Sequence, residues 1–392
     1  MSAGDVRPRM SRRGDVDPFI VMDVMRAANT REAAGARVIH MEVGQPGTPA
    51  PARVRAAARA AIEAGRLGYT EALGLPALRS AIASYYGEAH GLDIDPRRVV
   101  VTTGSSAGFQ LAFLAAFDAG QRVGLAMPAY PAYRNILRAL DLVPVAIPVG
   151  PETGYQLTAA ALDAAARDHD LHGVLIASPA NPTGAMIPPD ELDAIAQTAE
   201  SRGIWLISDE IYHRLTYGAV PERTALAMSD DAIAINSFSK YYSMTGWRIG
   251  WMVVPVRMVR TVERLAQNLY ISAPSLSQIA AAAAFDATDE LEANRAVYAK
   301  NRTLLLERLP QVGFHKLSPP DGAFYLYADV AHLTGDSASL CARLLEEADV
   351  AITPGMDFDP ERGRTTVRFS YAGPAADMEE AMNRLAALRL GD

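Results

Sequence analysis

Cysteine is nearly absent from this chain of 392 residues, which also lacks long apolar runs and an excess of positive charge. The single cysteine, Cys341, excludes a framework of internal disulfide bonds and suits a reducing compartment, so we expect a cytoplasmic protein. No apolar run reaches a membrane-spanning length, and residues 1–18 lack the apolar core of a signal peptide. The formal net charge of -8 argues against nucleic acid or an anionic membrane as the main partner.

Lysine is almost as scarce as cysteine. Only Lys240, Lys300 and Lys316 occur among 37 basic residues, so arginine is used almost everywhere that a plain positive charge suffices. Unlike arginine, lysine readily loses its proton and forms a Schiff base. Lys240 follows a short apolar run, 231–236, that predicts a buried strand. It is therefore a candidate nucleophilic amine, and a lysine of an ordinary surface loop is the alternative.

Histidine gives no sign of a metal site. The seven histidines are scattered, and His169 and His172 are the only close pair, with no cysteine beside them. Metal sites of the commoner kinds combine histidine with cysteine or carboxylates at short, regular spacings. We therefore expect surface or core histidines and no bound metal.

Strand-like and helix-like segments alternate through the middle of the chain. Apolar strands are predicted at 99–102, 122–126, 173–177, 204–208, 232–236 and 247–254, and helices lie between them, for example at 109–117 and 190–201. This alternation predicts an α/β fold with a mostly parallel sheet covered by helices on both faces.

The two ends of the chain do not show the regular alternation of strands and helices that is predicted for the middle. Residues 1–15 predict a mobile arm, and a helix is expected at 20–34, a strand at 38–43 and helices at 52–64 and 76–90. Helices at 256–269, 277–285 and 289–309 precede strands at 324–328 and 366–371 and helices at 340–348 and 375–390. The predicted division is an arm with part of the small domain at 1–45, a large domain at 46–289 and a small α+β domain at 290–392.

Residues suited to ligand binding follow the predicted strands. Ligands of open parallel sheets bind beyond the carboxyl ends of the strands. The small residues 104–108 stand between a strand and a helix, where backbone N–H groups can approach a phosphate, although an ordinary helix start has the same pattern. Tyr130 could stack on a ring. Asp209 ends an apolar run, and a buried carboxylate there needs a partner.

Four motifs together resemble the class I and II aminotransferases that depend on pyridoxal phosphate (PLP), of the aspartate aminotransferase superfamily with fold type I. Residues 237–250 contain Ser-x-Ser-Lys and Gly-Trp-Arg-x-Gly, the Schiff-base segment of that family. Asn-Pro-Thr-Gly at 181–184, Asp-Glu-Ile-Tyr at 209–212 and Val-Arg-Phe-Ser at 367–370 also match. The resemblance covers about 38–371. It implies a seven-stranded, mostly parallel sheet sandwiched by helices, with a smaller α+β domain.

The resemblance also implies roles for individual residues. Lys240 would hold PLP as a Schiff base, Asp209 would pair with the ring nitrogen, and Tyr130 would stack on the ring. Asn181 and Tyr212 would bind the phenolic oxygen. The residues implied at the phosphate are Ser105, Ser106, Ala107, Ser237, Ser239 and Arg248. The residues implied at the substrate are Gly44, Asn181 and Arg368, with the arginine binding the α-carboxylate.

Partners follow from the same resemblance. The family forms homodimers in which a tyrosine matching Tyr69 reaches the neighbour's phosphate. Amino acids and 2-oxo acids are the implied substrates of a ping-pong amino transfer. Residues 44–49 read Gly-Gln-Pro-Gly-Thr-Pro where relatives often have G-E-P-x-F-x-x-P, so substrate contacts in that loop stay open.

Two other functions are alternatives to amino transfer. PLP-dependent β-elimination, as in a C–S lyase, uses the same fold and cofactor, and the cofactor residues do not distinguish it. A PLP-bound transcription regulator would need a DNA-binding domain, and only a short stretch precedes residue 20 in a chain of negative net charge. The sequence does not show which amino acid is the donor.

Overall fold

The fold was analysed in a computed structural model of the chain, which describes residues 9–218, 220–388 and 390. The α-helices, in chain order, are α1 (Ile20–Ala33), α2 (Ala52–Ala64), α3 (Pro76–His90), α4 (Gly104–Ala116), α5 (Pro131–Ala139), α6 (Ala159–His169), α7 (Pro189–Arg202), α8 (Val259–Leu269), α9 (Ser275–Ala282), α10 (Thr288–Arg308), α11 (Ser337–Ala348) and α12 (Ala375–Ala387). No helix in this part of the chain is long and apolar enough to cross a membrane.

The strands form three sheets. They are β1 (Ile39–His40), β2 (Val99–Thr102), β3 (Arg122–Met127), β4 (Val143–Pro148), β5 (Gly173–Ala177), β6 (Trp205–Asp209), β7 (Ile233–Ser237), β8 (Gly250–Val253), β9 (Lys316–Leu317), β10 (Tyr325–Asp329), β11 (Val350–Ala351), β12 (Thr353–Pro354) and β13 (Thr366–Ser370). The large sheet has seven strands in the order β2-β8-β7-β6-β5-β3-β4. Only β8 runs antiparallel to its neighbours in it. The predicted mostly parallel sheet is thus confirmed.

Both faces of the large sheet are buried, as its nearly continuous apolar strands predict. Alternate residues of one strand point to opposite faces. Leu175 packs in the same apolar cluster as Phe113 of α4, whereas the next residue, Ile176, packs with Ile195 of α7. Helices therefore cover the sheet on both sides and hold its strand ends in fixed positions.

Strand β4 was not predicted. Its sequence, Val-Pro-Val-Ala-Ile-Pro, contains two prolines, which disfavour a central strand because proline cannot donate a ladder hydrogen bond. The structure places β4 at the edge of the sheet, paired only with β3, where proline is tolerated.

The last part of the chain forms a four-stranded antiparallel sheet in the order β12-β13-β10-β9. Strand β1 pairs with β11, which joins the segment after α1 to this part of the chain. The long helix α10 precedes it, and α12 packs on α10. The domain boundaries predicted at 45/46 and 289/290 stay predictions.

Several predicted elements differ from the observed ones in length. The strand expected at 38–43 has only two residues, and the one expected at 247–254 begins at Gly250, because Thr245–Trp247 forms a 3₁₀ turn. The helix expected at 375–390 ends at Ala387, and residue 389 lies outside the described residues. Residues 1–8 of the predicted arm also lie outside them. Further along the N-terminal segment, Asp17 accepts a hydrogen bond of 2.7 Å from Arg138 of α5.

Candidate active site

The carboxyl ends of five strands meet at one edge of the large sheet. Strands β3, β5, β6 and β7 are parallel, and β2 points the same way because both β2 and β7 are antiparallel to β8. The residues that follow these strands line a cavity of about 220 Å³. The predicted site residues among its lining are Gly44, Ser105, Ser106, Tyr130, Asn181, Asp209, Tyr212, Ser239, Lys240, Arg248 and Arg368.

Lys240 follows β7 and points its amine into this cavity. Its Nζ donates a hydrogen bond of 2.6 Å to the carbonyl oxygen of Gly44. Burial, together with the positive charges of Arg368 and Arg248, lowers the pKa of Lys240 to about 8, and the negative charge of Asp209 opposes them. The amine therefore loses its proton more readily near neutral pH than an exposed lysine does.

Asp209 is the last residue of β6 and is almost completely buried. Its Oδ1 accepts a hydrogen bond of 3.0 Å from the backbone N–H of Ile211, and its Oδ2 accepts one from the hydroxyl of Tyr133. Burial raises the pKa of Asp209 to about 6 even though these two hydrogen bonds act in the opposite direction. A cationic partner in the cavity would favour the ionised carboxylate.

Tyrosines form much of the remaining wall. The hydroxyl oxygens of Tyr212 and Tyr325 are 2.7 Å apart. Tyr130 follows β3 and meets Tyr133 edge to face, with ring centroids 5.3 Å apart. Tyr130 also contacts Phe19, from the segment before α1, at 5.6 Å. This packing holds the Tyr130 ring at the cavity wall.

Arg368 reaches the same cavity from β13 of the small sheet. Its Nη1 donates a hydrogen bond of 2.8 Å to Oδ1 of Asn181, and its Nη2 donates to the carbonyl oxygen of Glu42. Its guanidinium carbon lies 4.4 Å from the ring centroid of Tyr325 and 4.6 Å from that of Phe358. Within the part of the chain that the structure describes, the Nε of this buried arginine has no hydrogen-bond partner.

The positive groups of the cavity lack carboxylate partners. Among the described residues, no Asp or Glu oxygen lies within ion-pair distance of Lys240, Arg248 or Arg368. Burying an unpaired charge is costly, so a buried arginine with only neutral acceptors is suited to an anionic ligand. The electrostatics of the site thus favour a ligand that brings its own negative charge.

A second anion-binding feature is the start of α4. Ser105 and Ser106 lie in its first turn, where unpaired backbone N–H groups and the helix dipole favour an anion. Gly104 adopts a φ of +71°, and a Cβ there would lie 2.5 Å from Nη2 of Arg248. The glycine therefore lets the arginine approach the helix start closely.

Two predicted phosphate residues lie behind the cavity lining. Ser237 is buried, and its Oγ lies 2.8 Å from Oγ of Ser239, which itself faces the cavity. Ala107 is also buried on the first turn of α4. Ser237 is thus placed to orient Ser239.

Gly44 lies where only glycine fits. A Cβ at this position would be 1.7 Å from the hydroxyl oxygen of Tyr325, which is a severe overlap. The close approach brings the backbone of residue 44 to the amine of Lys240.

Tyr69 is not part of the cavity of its own chain. It lies between α2 and α3 and is 84% exposed. The prediction that it serves the site of a neighbouring subunit stays a prediction.

Several residues of the site were missed at the sequence level. Tyr133 and Tyr325 contact predicted site residues directly, yet neither stands in a motif. The position of Tyr133 one helical turn after Tyr130 was the only signal for it. An apolar part of the wall was also missed, and it consists of Phe19, Val21, Met22 and Val43.

Comparisons with known proteins agree with this geometry. The family described as aminotransferase class I and II matches residues 36–385. Valine–pyruvate aminotransferase of Mycobacterium tuberculosis is 52% identical over 380 residues, which cover 96% of this chain and 97% of that protein.

Solved structures of aminotransferases also superpose on this chain over nearly its whole length. An aminotransferase from Mycobacterium tuberculosis superposes with a TM-score of 0.95 at 51% identity, covering 97% of this chain and 99% of that one. Aspartate aminotransferase from Thermus thermophilus with maleate gives a TM-score of 0.92 at 29% identity, covering 97% and 100%.

Proposed function

The chain belongs to the class I and II aminotransferases, and we propose that it moves the amino group of a neutral aliphatic L-amino acid to a 2-oxo acid. Amino transfer itself is the activity of the family, which depends on pyridoxal 5′-phosphate in general. The observation that supports the assignment of this site is the convergence of Lys240, Asp209 and Arg368 on one cavity.

The residues present fit the cofactor. Ser105, Ser106 and Arg248 offer backbone N–H groups, hydroxyls and a guanidinium to a phosphate. The buried carboxylate of Asp209 offers a partner to a protonated ring nitrogen. When bound, the cofactor supplies an aldehyde that condenses with amines and a ring that accepts electron density from the substrate. Holding the cofactor is proposed as the role of these residues.

Lys240 is proposed to move the proton at the substrate Cα. A general base works best when its pKa lies near the working pH, and the pKa of Lys240 is lowered to about 8 by burial and by nearby arginines. Its side chain lines the cavity together with Asp209 and Arg368. Neutral Lys240 can thus accept a proton and return it to a neighbouring atom.

Arg368 is proposed to bind the α-carboxylate of the substrate. A guanidinium binds a carboxylate through two parallel hydrogen bonds, which fixes orientation as well as position. Asn181 and the stacked rings of Tyr325 and Phe358 already restrict the plane of the arginine. The backbone N–H of Gly44 is the second proposed contact of the substrate.

The apolar wall supports a neutral aliphatic side chain. Phe19, Val21, Met22 and Val43 contribute it. A dicarboxylic substrate would need a further cation, and the described residues of a single chain offer none in the lining besides Lys240, Arg248 and Arg368. The similarity to a valine–pyruvate aminotransferase supports valine as donor and pyruvate as acceptor.

Elimination chemistry is the weaker alternative. The same cofactor residues would serve a C–S lyase. The named relatives are aminotransferases, which favours transfer over elimination.

The proposed assembly is a homodimer in which Tyr69 serves the partner's site. Its support is the exposure of Tyr69 in its own chain together with the family resemblance. A cytoplasmic location rests on the single buried cysteine.

The test is a screen of amino donors with pyruvate and with 2-oxoglutarate. Valine with pyruvate should give the highest kcat/KM, and aspartate should be a poor donor. A preference for aspartate would refute the substrate class but leave amino transfer intact. Release of ammonia without an acceptor would favour elimination instead.

A further inference from the structure

A second polar cluster lies outside the cavity, in the interior next to Asp209. It consists of His90, at the end of α3, and Glu210, His213 and Glu222, which follow β6. Their side chains are 4%, 1%, 1% and 16% exposed, in that order. No step proposed above uses any of these four residues.

The distances within this cluster exceed those of hydrogen bonds. Nδ1 of His213 lies 3.7 Å from Oε2 of Glu210 and 3.7 Å from Oε1 of Glu222, and Nε2 of His90 lies 3.9 Å from Oε1 of Glu222. One donor atom of each histidine and of Glu222 lies within 4.8 Å of the others, whereas Glu210 joins the cluster only through its 3.7 Å contact with His213. Two ligands of a tetrahedral zinc ion are about 3.3 Å apart, so the three contacts of 3.7 to 3.9 Å need a contraction of a few tenths of an ångström to close a site.

The two carboxylates are held by their other oxygen atoms. Oε1 of Glu210 accepts hydrogen bonds of 2.9 Å from the Thr224 hydroxyl and from the backbone N–H of Ala225. Oε2 of Glu222 accepts one from the backbone N–H of Arg214. Hydrogen bonds to one oxygen of a carboxylate fix the orientation of a metal ligand. In Glu210 and in Glu222, the other carboxylate oxygen faces the histidines.

Most inward-facing atoms find no hydrogen-bond partner among the described residues. Buried atoms without a hydrogen bond include Oε2 of Glu210, both ring nitrogens of His213 and Nε2 of His90. Orphaned polar atoms in a protein interior are rare and call for an unseen ion, water or proton. Oε2 of Glu210, one ring nitrogen of His213 and Nε2 of His90 can share a single ligand.

A neutral imidazole is a common metal ligand, and each histidine of the cluster presents a ring nitrogen to a carboxylate oxygen. A divalent cation can bind lone pairs of both imidazoles and both carboxylates at once, whereas one water molecule can donate only two hydrogen bonds.

We propose that His90, Glu210, His213 and Glu222 bind a divalent transition-metal ion, with Zn²⁺ as the ion that fits the donors best. Two imidazole nitrogens and two carboxylate oxygens are a donor set typical of zinc. The ion would link the end of α3 to the segment after β6. Because Glu210 follows Asp209 directly, it would also fix the strand end that presents Asp209 to the cavity.

The experiment uses the full-length holoenzyme after treatment with a chelator and dialysis. Zinc is added and unbound ion is removed, and the metal content is measured by mass spectrometry. We expect about one Zn²⁺ per chain and a raised Tm. Co²⁺ in place of Zn²⁺ should give absorption bands in the visible range, beyond the cofactor bands. His213→Gln and Glu222→Gln should lose the metal, and the exposed control His169→Gln should keep it.

The wild-type protein alone can overturn the proposal, even if a variant does not fold. Wild type that retains less than about a tenth of an ion per chain, or has an unchanged Tm, would mean that protons or water fill the cluster. Retention of metal by folded His213→Gln and Glu222→Gln would place the ion elsewhere and equally refute the site.

Discussion

Asn181 and Arg368 join the two sheets of the molecule through a hydrogen bond of 2.8 Å from Nη1 of the arginine to Oδ1 of the asparagine. Asn181 follows β5 of the large sheet, and Arg368 belongs to β13 of the small one. Since the other acceptor and ring partners of Arg368 are also uncharged, the guanidinium is held in place without an internal carboxylate that competes with a ligand.

Arg368→Lys should weaken the binding of every amino-acid substrate. Lysine keeps the positive charge but loses the two-pronged geometry, so kcat/KM should fall by about 100-fold, with most of the change in KM. The absorption spectrum of the cofactor should not change. Steady-state kinetics with several donors checks this, and Arg343→Lys, on the exposed face of α11, is the control. An effect limited to dicarboxylic substrates would show that Arg368 contacts the side chain instead.

Lys240→Ala should abolish amino transfer. The variant loses both the amine that holds the cofactor and the base that moves the proton, so kcat should fall by at least about 1,000-fold. Lys300→Ala is a matched control, since Lys300 is an exposed lysine of α10. In the wild type, borohydride should attach the cofactor covalently to Lys240, as peptide mass spectrometry would detect. A Lys240→Ala variant with near wild-type turnover would refute the central assignment.

The sequence located residues of the cavity where they stand at the end of a buried strand or in the loop that follows it. Asp209 and Lys240 could be located because apolar runs identify the strands, and the carboxyl ends of parallel strands share an edge. Tyr325 and His213 could not be assigned, because Tyr212 and His90, which lie beside them, come from distant parts of the chain. Such contacts depend on how helices and sheets pack, which periodicity does not reveal.

Asp209→Asn should stabilise the cofactor-free protein at high pH. A carboxyl with a pKa of about 6 when folded and 3.8 in its ordinary state favours folding at low pH, and this contribution is lost as the pH rises through 6. The amide does not titrate. The free energy of unfolding of the variant, relative to that of wild type, should therefore increase by about 2 to 3 kcal/mol from pH 4 to pH 8.

Urea denaturation at both pH values measures that gain. Asp230→Asn, at a fully exposed side chain, should show no comparable gain. Asp209→Asn should also lose most of its amino-transfer activity, because the ring nitrogen loses the partner that keeps it protonated. Unchanged kinetics would remove Asp209 from the site.

Phe19→Ala should change the choice of donor. The Phe19 ring lines the apolar wall and packs against Tyr130, so its removal should lower kcat/KM for valine by about 10-fold. The methyl side chain of alanine is too short to reach the wall, so kcat/KM for alanine as donor should fall less. The ratio of the two kcat/KM values is the measurement. An equal loss for both donors would mean that Phe19 positions the Tyr130 ring and does not select the substrate.

Tyr69 should act in the site of the partner subunit. Lys240→Ala chains and Tyr69→Ala chains are each expected to have little activity alone. After subunit exchange, one site of the hybrid dimer combines wild-type Lys240 with wild-type Tyr69 of the other chain, so activity should reappear. If Tyr69 acted within its own chain, the hybrid would have no intact site and would stay inactive. Sedimentation under assay conditions gives an independent check, because a mass of one chain would exclude a shared site.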